Sequence, residues 1–477
     1  MLQEQMSPIE PLADGARDDA PARDTVPAPG HRLGRGLRPR HVSMIAIGGI
    51  IGAGLFVGSS TAIATVGPAV VLSYALAGLL VLLVMRMLSE MAVATPGVQS
   101  FSEFARLGLG HWAGFMSGWL YWFFWDVVVA IEAIAGAKIV HGWLPQFAVW
   151  QIGMALVAVL TGVNLMSSRA YGEFEFWLSS LKVAAIIAFI AIAARYLAVD
   201  GHLGAAADNL AASGGFMPHG PLSVLGGITS VVFALCGCEI VTVAAAETAD
   251  PERTVARMTS TVATRIVVFY LLSIALIVAI VPWTAVRPGL SPFATALAAM
   301  GIPGAATIMT VVVLVAVLSC LNSGLYVTSR VLFVLADRGD APRALVALDR
   351  RRTPVRAILA GSVFSYVALA ASVLSPDGVF NFLVNGSGAL MLVLYLLTAV
   401  AQLRLRCRLE REAPARLRVR MWLHPWGSWL TIGGMIIVLL AMALTPSLVS
   451  QFYASALTTG AAALAFVVLR RSGRLAG

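Results

Sequence analysis

Four glycines, three carboxylates and one lysine carry the chemistry open to this sequence. Gly48, Gly49, Gly52 and Gly54 interrupt an apolar run from about residue 41 to 64. Asp126 and Glu132 lie deep in a second run, Lys182 lies about two turns into a third, and Glu239 follows Cys236-Gly-Cys238 in a fourth. Each of the four glycines lowers helix stability by about 0.8–1 kcal/mol relative to alanine. In hydrocarbon, an unpaired backbone group costs several kcal/mol, so a broken helix survives only beside protein, water or ligand. A glycine cluster at that depth predicts a helix that unwinds. One half then ends on free carbonyls, and the other begins on free amides at the positive end of its dipole. Those ends suit a small molecule with both an ammonium and a carboxylate. The Gly48–Gly52 spacing also serves close helix packing.

A carboxylate at mid-span costs at least about 2.5–3.5 kcal/mol, so Asp126 and Glu132 should face the protein interior, as part of a site or of a pair. Both are candidates for setting substrate specificity. The chain contains only two lysines, Lys138 and Lys182; its other cationic side chains are arginine or histidine. Arginine keeps its proton, whereas lysine gives it up readily on burial. Lys182 is therefore expected to couple protons, and Lys138, near the end of its run, to snorkel.

The elements that must hold these groups are membrane helices. Of 477 residues, 59% are hydrophobic and 12% charged, against roughly 45–50% and 25% in soluble domains. Runs of membrane-spanning length predict about twelve spans, near 41–64, 69–94, 112–140, 148–166, 174–198, 221–247, 262–284, 303–336, 356–375, 380–401, 427–446 and 451–470. The net charge of +9 does not indicate nucleic-acid binding. The arginines cluster before the first span and after the sixth, eighth, tenth and twelfth, which places both termini in the cytoplasm. Residues 1–37 read as a disordered cytoplasmic tail, 38–401 as a ten-helix core, 402–426 as a basic cytoplasmic loop, 427–470 as two accessory helices that suit packing or a homo-oligomer, and 471–477 as a tail. The first apolar run begins too late and is too long for a signal peptide. Cys236, Cys238, Cys320 and Cys407 show no disulfide or zinc spacing. No metal, no cofactor and no enzymatic nucleophile–base set is expected.

Other polar residues complete the pattern. Arg86 and Glu90 stand one turn apart and can pair. Asn322, Ser323 and Tyr326 either line a polar path or bond between helices. Asn385-Gly-Ser-Gly388 reads as a loosened stretch of the tenth span. Interruptions at the first and sixth spans are the mark of a transporter built from inverted repeats.

Several stretches extend this reading: Arg40-His-Val-Ser-Met44 with Gly49-Ile-Ile-Gly-Ala-Gly-Leu-Phe-Val-Gly58, Met85-Arg-Met-Leu-Ser-Glu-Met-Ala-Val-Ala-Thr-Pro96, Gly118-Trp-Leu-Tyr-Trp122, Glu239-Ile-Val-Thr-Val-Ala-Ala-Ala-Glu247 and Arg338-Gly-Asp-Ala-Pro342. Through them the chain, after about residue 38, resembles the amino acid/polyamine/organocation superfamily, and within its amino acid transporters most closely the γ-aminobutyrate permeases. The resemblance implies an all-α fold of two inverted five-helix repeats (LeuT-like) plus two helices, in the cytoplasmic membrane. It implies uptake of an amino acid with a proton, driven by the proton gradient, without sodium. It also implies that the substrate carboxylate meets the amides of Ala53 and Gly54, and the ammonium meets the carbonyls of Ile50, Phe233 and Cys236. The Phe233 ring would cover the substrate, Asn322 would belong to the substrate-binding set, and Glu239 and Lys182 would serve proton coupling. The γ-aminobutyrate pattern is apolar at the place of Asp126, and Cys238 stands where relatives often have threonine. An Asp126 that reached the cavity would favour a cationic amino acid or polyamine, carried or exchanged. A membrane amino acid sensor is the reading of another class.

Overall fold

The computed structural model describes residues 51–95, 98, 101–165, 168–199, 202–239, 262–349 and 353–472, with no account of the side chains of 101 and 168–174. The expectations for Gly48, Gly49 and Ile50, for the tail 1–37 and for residues 473–477 lie outside these residues.

In chain order the helices are α1 (Gly54–Val66), α2 (Val70–Ala94), α3 (Phe101–Leu109), α4 (His111–Trp143), α5 (Val149–Asn164), α6 (Ser168–Val199), α7 (Leu203–Ala211) and α8 (Gly220–Leu235). There follow α9 (Val262–Ile280), α10 (Pro292–Ala299), α11 (Ala305–Asp337), α12 (Val355–Ala371), α13 (Pro376–Glu412), α14 (Trp426–Leu444) and α15 (Val449–Arg471). Among the described residues, seven helices are long and apolar enough to cross a membrane on their own. The shorter apolar helices α1, α5, α8 and α12, with the 33-residue α4, bring the total to the expected twelve. Helix α1 begins at, and helix α8 ends at, non-helical backbone. Residues 51–52 are not helical, and α1 opens with a π-helical turn at Gly54–Gly58. Helix α8 stops at Leu235; Cys236 is extended, and Gly237 takes a φ of 92° that favours glycine.

Three short helices, α3, α7 and α10, fall in stretches expected to be loops. Helices α3 and α7 are amphipathic, α10 is short and apolar, and each has buried residues against the bundle. In α10, for example, the buried Phe293 ring packs edge-on against Phe56 at 5.0 Å and against Phe189 at 4.8 Å.

The tenth span is continuous, with no loosening at Asn385-Gly-Ser-Gly388. The glycine there serves contact instead: a Cβ on Gly388 would collide with the Thr229 carbonyl of α8. Helix α13 also runs on to Glu412, so the first part of the expected 402–426 loop is helix. Pairs at i,i+4 hold this arm, Arg406 with Glu410 at 2.9 Å and Arg408 with Glu412 at 3.1 Å.

On the arginine-rich side, Glu90 does not pair with Arg86. It is buried and accepts from Gln402 Nε2 at 2.7 Å, Arg406 at 2.8 Å and the Met421 amide at 2.5 Å. Arg86, on a more exposed face of α2, donates to the Arg420 carbonyl at 2.9 Å and lies over the Trp422 ring. Asp340 ties α3 to α4, accepting from Arg106 at 2.5 Å with the His111 ring nitrogen at 2.8 Å. On the opposite side Lys138 pairs with Asp377 rather than merely snorkelling. There Thr61 donates to Asn381 at 2.7 Å, and the Gly289 amide donates to Ser60 Oγ at 2.9 Å.

The packing at Gly388 gives a direct test. Gly388→Ala drives a methyl into backbone and is expected to cost about 3 kcal/mol, read as loss of monodisperse protein in fluorescence-detected size-exclusion chromatography. Gly386→Ala, whose Cβ would meet only Ser455 Oγ at 4.0 Å, should elute like the wild type.

Candidate functional site

The start of α1 exposes the amide of Ala53 at the positive end of a helix dipole. A carboxylate occupies it. Glu132 of α4 accepts the Ala53 N–H at 2.9 Å through Oε1 and at 3.0 Å through Oε2. Its second donor is the Cys320 thiol of α11. Gly52 has no Cβ where one would collide with this carboxylate and lie 2.5 Å from Cys320 Cβ. Glycine is thus required at 52 for the approach of two side chains, beyond any wish to unwind.

Helix α8 crosses next to this point. A Cβ on Gly54 would come 2.7 Å from Ala234 Cα, and one on Gly58 would lie 3.6 Å from the Phe233 ring. The Phe233 ring therefore lies across the opened turn of α1. Between the two breaks is a narrow cavity of about 20 Å³, lined by Gly54, Phe124, Trp125, Val128, Glu132, Phe233, Ala234, Cys236 and Cys320. That volume admits about one water molecule.

The break in α8 has its own carboxylate. Glu239 accepts the Gly237 N–H at 2.9 and 3.1 Å, the Tyr395 hydroxyl at 3.2 Å and the Tyr121 hydroxyl at 3.3 Å. Arg265 of α9 bonds the neighbouring Cys238 thiol. Behind Cys320 lies the buried lysine. Lys182 Nζ is 3.6 Å from Glu175 Oε1, and both side chains are fully buried. Glu175 also accepts from Ser319 at 2.6 Å and Ser179 at 3.1 Å. Because Ser319 and Cys320 are adjacent on α11, the Lys182–Glu175 pair and the Glu132–Ala53 contact share one support.

Of the residues singled out from sequence, Ala53, Gly54, Glu132, Phe233 and Cys236 come together at the cavity, and Lys182 and Glu239 stand one layer back. Asn322 does not join them. It turns to α5, where its Oδ1 accepts from Asn164 at 2.7 Å, because two residues along a helix from Cys320 is about 200° around it. Asp126 is also elsewhere. It faces α11 and α12, within 3.6 Å of the Cβ position of Gly361 and beside Thr328, and neither carboxylate oxygen has a hydrogen-bond partner among the described residues. The cavity face of α4 is Phe124, Trp125, Val128 and Glu132, at helical spacing; Asp126 points away from it. Asp126 is not among the residues that line this cavity.

Sequence reading missed the partners. Glu175 and Lys182 are seven residues apart, two turns on one face, which is a visible signal. Tyr395 on Glu239 and Arg265 on Cys238 join distant helices and leave no local trace.

The model of the amino acid permease family matches residues 41–472. A gamma-aminobutyric acid permease from Bacillus subtilis (strain 168) is 47% identical over 441 residues, covering 92% of this chain and 94% of that protein. A second, from Escherichia coli (strain K12), is 45% identical over 424 residues, 87% of this chain and 90% of its own. An aromatic amino acid transport protein from Corynebacterium glutamicum is 38% identical over 439 residues, 90% and 93% of the two chains. Among solved structures, a manganese transporter mutant from Eremococcus coleocola superposes with a TM-score of 0.55 at 13% identity, over 91% of this chain and 94% of that one, a likeness of fold alone. With the broken first and sixth spans in place and the family model covering nearly the whole length, this chain belongs to the amino acid permease family.

Proposed function

We propose that this permease imports γ-aminobutyrate, or an amino acid of similar size, together with a proton, across the cytoplasmic membrane with both termini on the cytoplasmic side. The observation that carries this reading is the pair of opened helices. The amide end of α1 at Ala53 and Gly54 suits the substrate carboxylate. The carbonyl end of α8 at Phe233 and Cys236 suits the ammonium. The two curated relatives named as gamma-aminobutyric acid permeases support the substrate class. Phe233, which lines the cavity, would shield a bound substrate from water.

Lys182 supplies the proton-sensitive charge next to the site. Its ion pair with Glu175 is buried, so adding or removing one proton there is strongly felt, and the shared support through Ser319 and Cys320 passes the change to the cavity. The energy source is the proton gradient, and no cofactor takes part.

In proteoliposomes with an inward proton gradient, labelled γ-aminobutyrate should accumulate, and collapsing the gradient should abolish accumulation. Lys182→Ala should lower uptake at least about tenfold, since it strands Glu175 as an uncompensated buried charge. Uptake indifferent to both gradient and substitution rules the mechanism out. Asp126→Asn removes a carboxylate that nothing in the cavity uses. Its competition profile against arginine, lysine and putrescine should match the wild type; a shift in that profile would return Asp126 to the substrate path.

A further inference from the structure

We propose that Glu132 is a tethered competitor for the substrate's carboxylate, and that a proton taken up by Glu132 is what vacates the Ala53 amide for it. The inference rests on the carboxylate placement given above; it moves the proton of the binding step from Lys182 to Glu132, with the Lys182–Glu175 pair as the charge beside it, and it names the agent that the incoming carboxylate must displace. The Ala53 N–H is held by both oxygens of Glu132, at 2.9 and 3.0 Å, in a side chain 1% exposed. A substrate carboxylate that takes the Ala53 amide along with that of Gly54 must displace Glu132 from Ala53. The cavity of about 20 Å³, which Glu132 helps to line, holds about one water, so its walls must part to admit a substrate.

Charge decides how it moves. The titratable groups facing Glu132 are Cys320 on α11, the Lys182–Glu175 pair on α6 behind it, and Cys236 on α8 across the cavity; the Gly54–Gly58 turn contributes none. Lys182 is shared with Glu175 at 3.6 Å, so its ammonium offsets only part of the charge of an ionised Glu132. An ionised Glu132 pushed off Ala53 would therefore stand beside a second anion in a site of low dielectric, which is strongly unfavourable. A proton from the aqueous side, bound to the displaced carboxylate, removes that repulsion. It also weakens Glu132 as an acceptor for Ala53, and it turns the group into a donor that can bond the substrate carboxylate. Substrate and proton then bind together or not at all, and by linkage each raises the affinity for the other.

The sign follows. If only the protonated form admits substrate, the apparent Kd rises about tenfold for each pH unit above the titration of Glu132. In Glu132→Gln the side chain keeps its volume but holds Ala53 with a neutral oxygen and needs no proton. Binding of γ-aminobutyrate to the purified full chain, followed by thermal shift and by isothermal calorimetry between pH 5.5 and 8, should depend on pH in the wild type and be flat in Glu132→Gln. Calorimetry in buffers of different ionisation enthalpy should show proton uptake on binding in the wild type and none in the variant. Infrared difference spectra should show a protonated carboxyl band appearing with substrate in the wild type only. Glu132→Asp, one methylene shorter and a weaker competitor at Ala53, should bind more tightly than the wild type at pH 7.5; it decides the matter should Glu132→Gln fail to fold. Wild-type pH dependence and proton uptake retained in Glu132→Gln, or weakened binding in Glu132→Asp, would overturn the competitor while leaving γ-aminobutyrate import intact. A wild type stabilised by no amino acid at any pH overturns both; one stabilised by another amino acid moves the substrate assignment alone, and the same arms are run with that compound.

Discussion

A backbone amide released inside a membrane must find an acceptor, and the site of this protein grows from that requirement. Two spans open, and each opening is met by a buried carboxylate: Glu132 at Ala53, Glu239 at Gly237. Placing a carboxylate at that depth costs at least about 2.5–3.5 kcal/mol. A hydrogen bond to a charged group returns about 1.5–3 kcal/mol, and a partly buried helix end up to about 2 kcal/mol more. The terms nearly cancel, so the broken helices can persist without a ligand. The same near-cancellation leaves the arrangement easy to shift when a competing anion or a proton arrives.

Helix α4 is the spine that makes this work. One face carries Phe124, Trp125, Val128 and Glu132 to the cavity, and Tyr121, a turn before Trp125, reaches Glu239. Its two ends are fixed by opposite means. At the arginine-rich side His111 sits against Asp340, and at the other side Lys138 pairs with Asp377. A helix anchored at both ends can hold a carboxylate against a neighbouring span to within a hydrogen bond's tolerance. Helix α11 gives the opposing wall, with Cys320 toward the cavity and Ser319 toward the Lys182–Glu175 pair.

Much of this was legible in the residues. Apolar runs marked the spans, arginine clusters marked their alternate ends, and glycines at 52, 54 and 237 marked the breaks. What could not be read were partners chosen in three dimensions. Arg86 and Glu90 have the right spacing to pair, yet Glu90 is claimed by Gln402 and Arg406 from the far end of the chain. Asn322 looked like a pore residue because polar groups in a span look alike; its partner Asn164 belongs to another helix. Helix α13 ran on past its apolar stretch because charged i,i+4 pairs prolong a helix as well as apolar residues do. Glycines 386 and 388 read as weakness, whereas Gly388 lets two helix backbones touch.

The two capping carboxylates are alike in sequence and unlike in physics. Glu239 lies two residues from the amide it serves and is tied further by the Tyr121 and Tyr395 hydroxyls. It is not among the residues that line the cavity. Glu132 comes from a different span, is held by one amide and one thiol, and forms part of the cavity wall. Everything that holds it can be offered equally well to a free carboxylate. A cap borrowed from elsewhere in the fold is exchangeable, and a cap supplied from next door is structural. By that criterion the cap at the start of α1 is the exchangeable one, and the cap at the end of α8 is the fixed one.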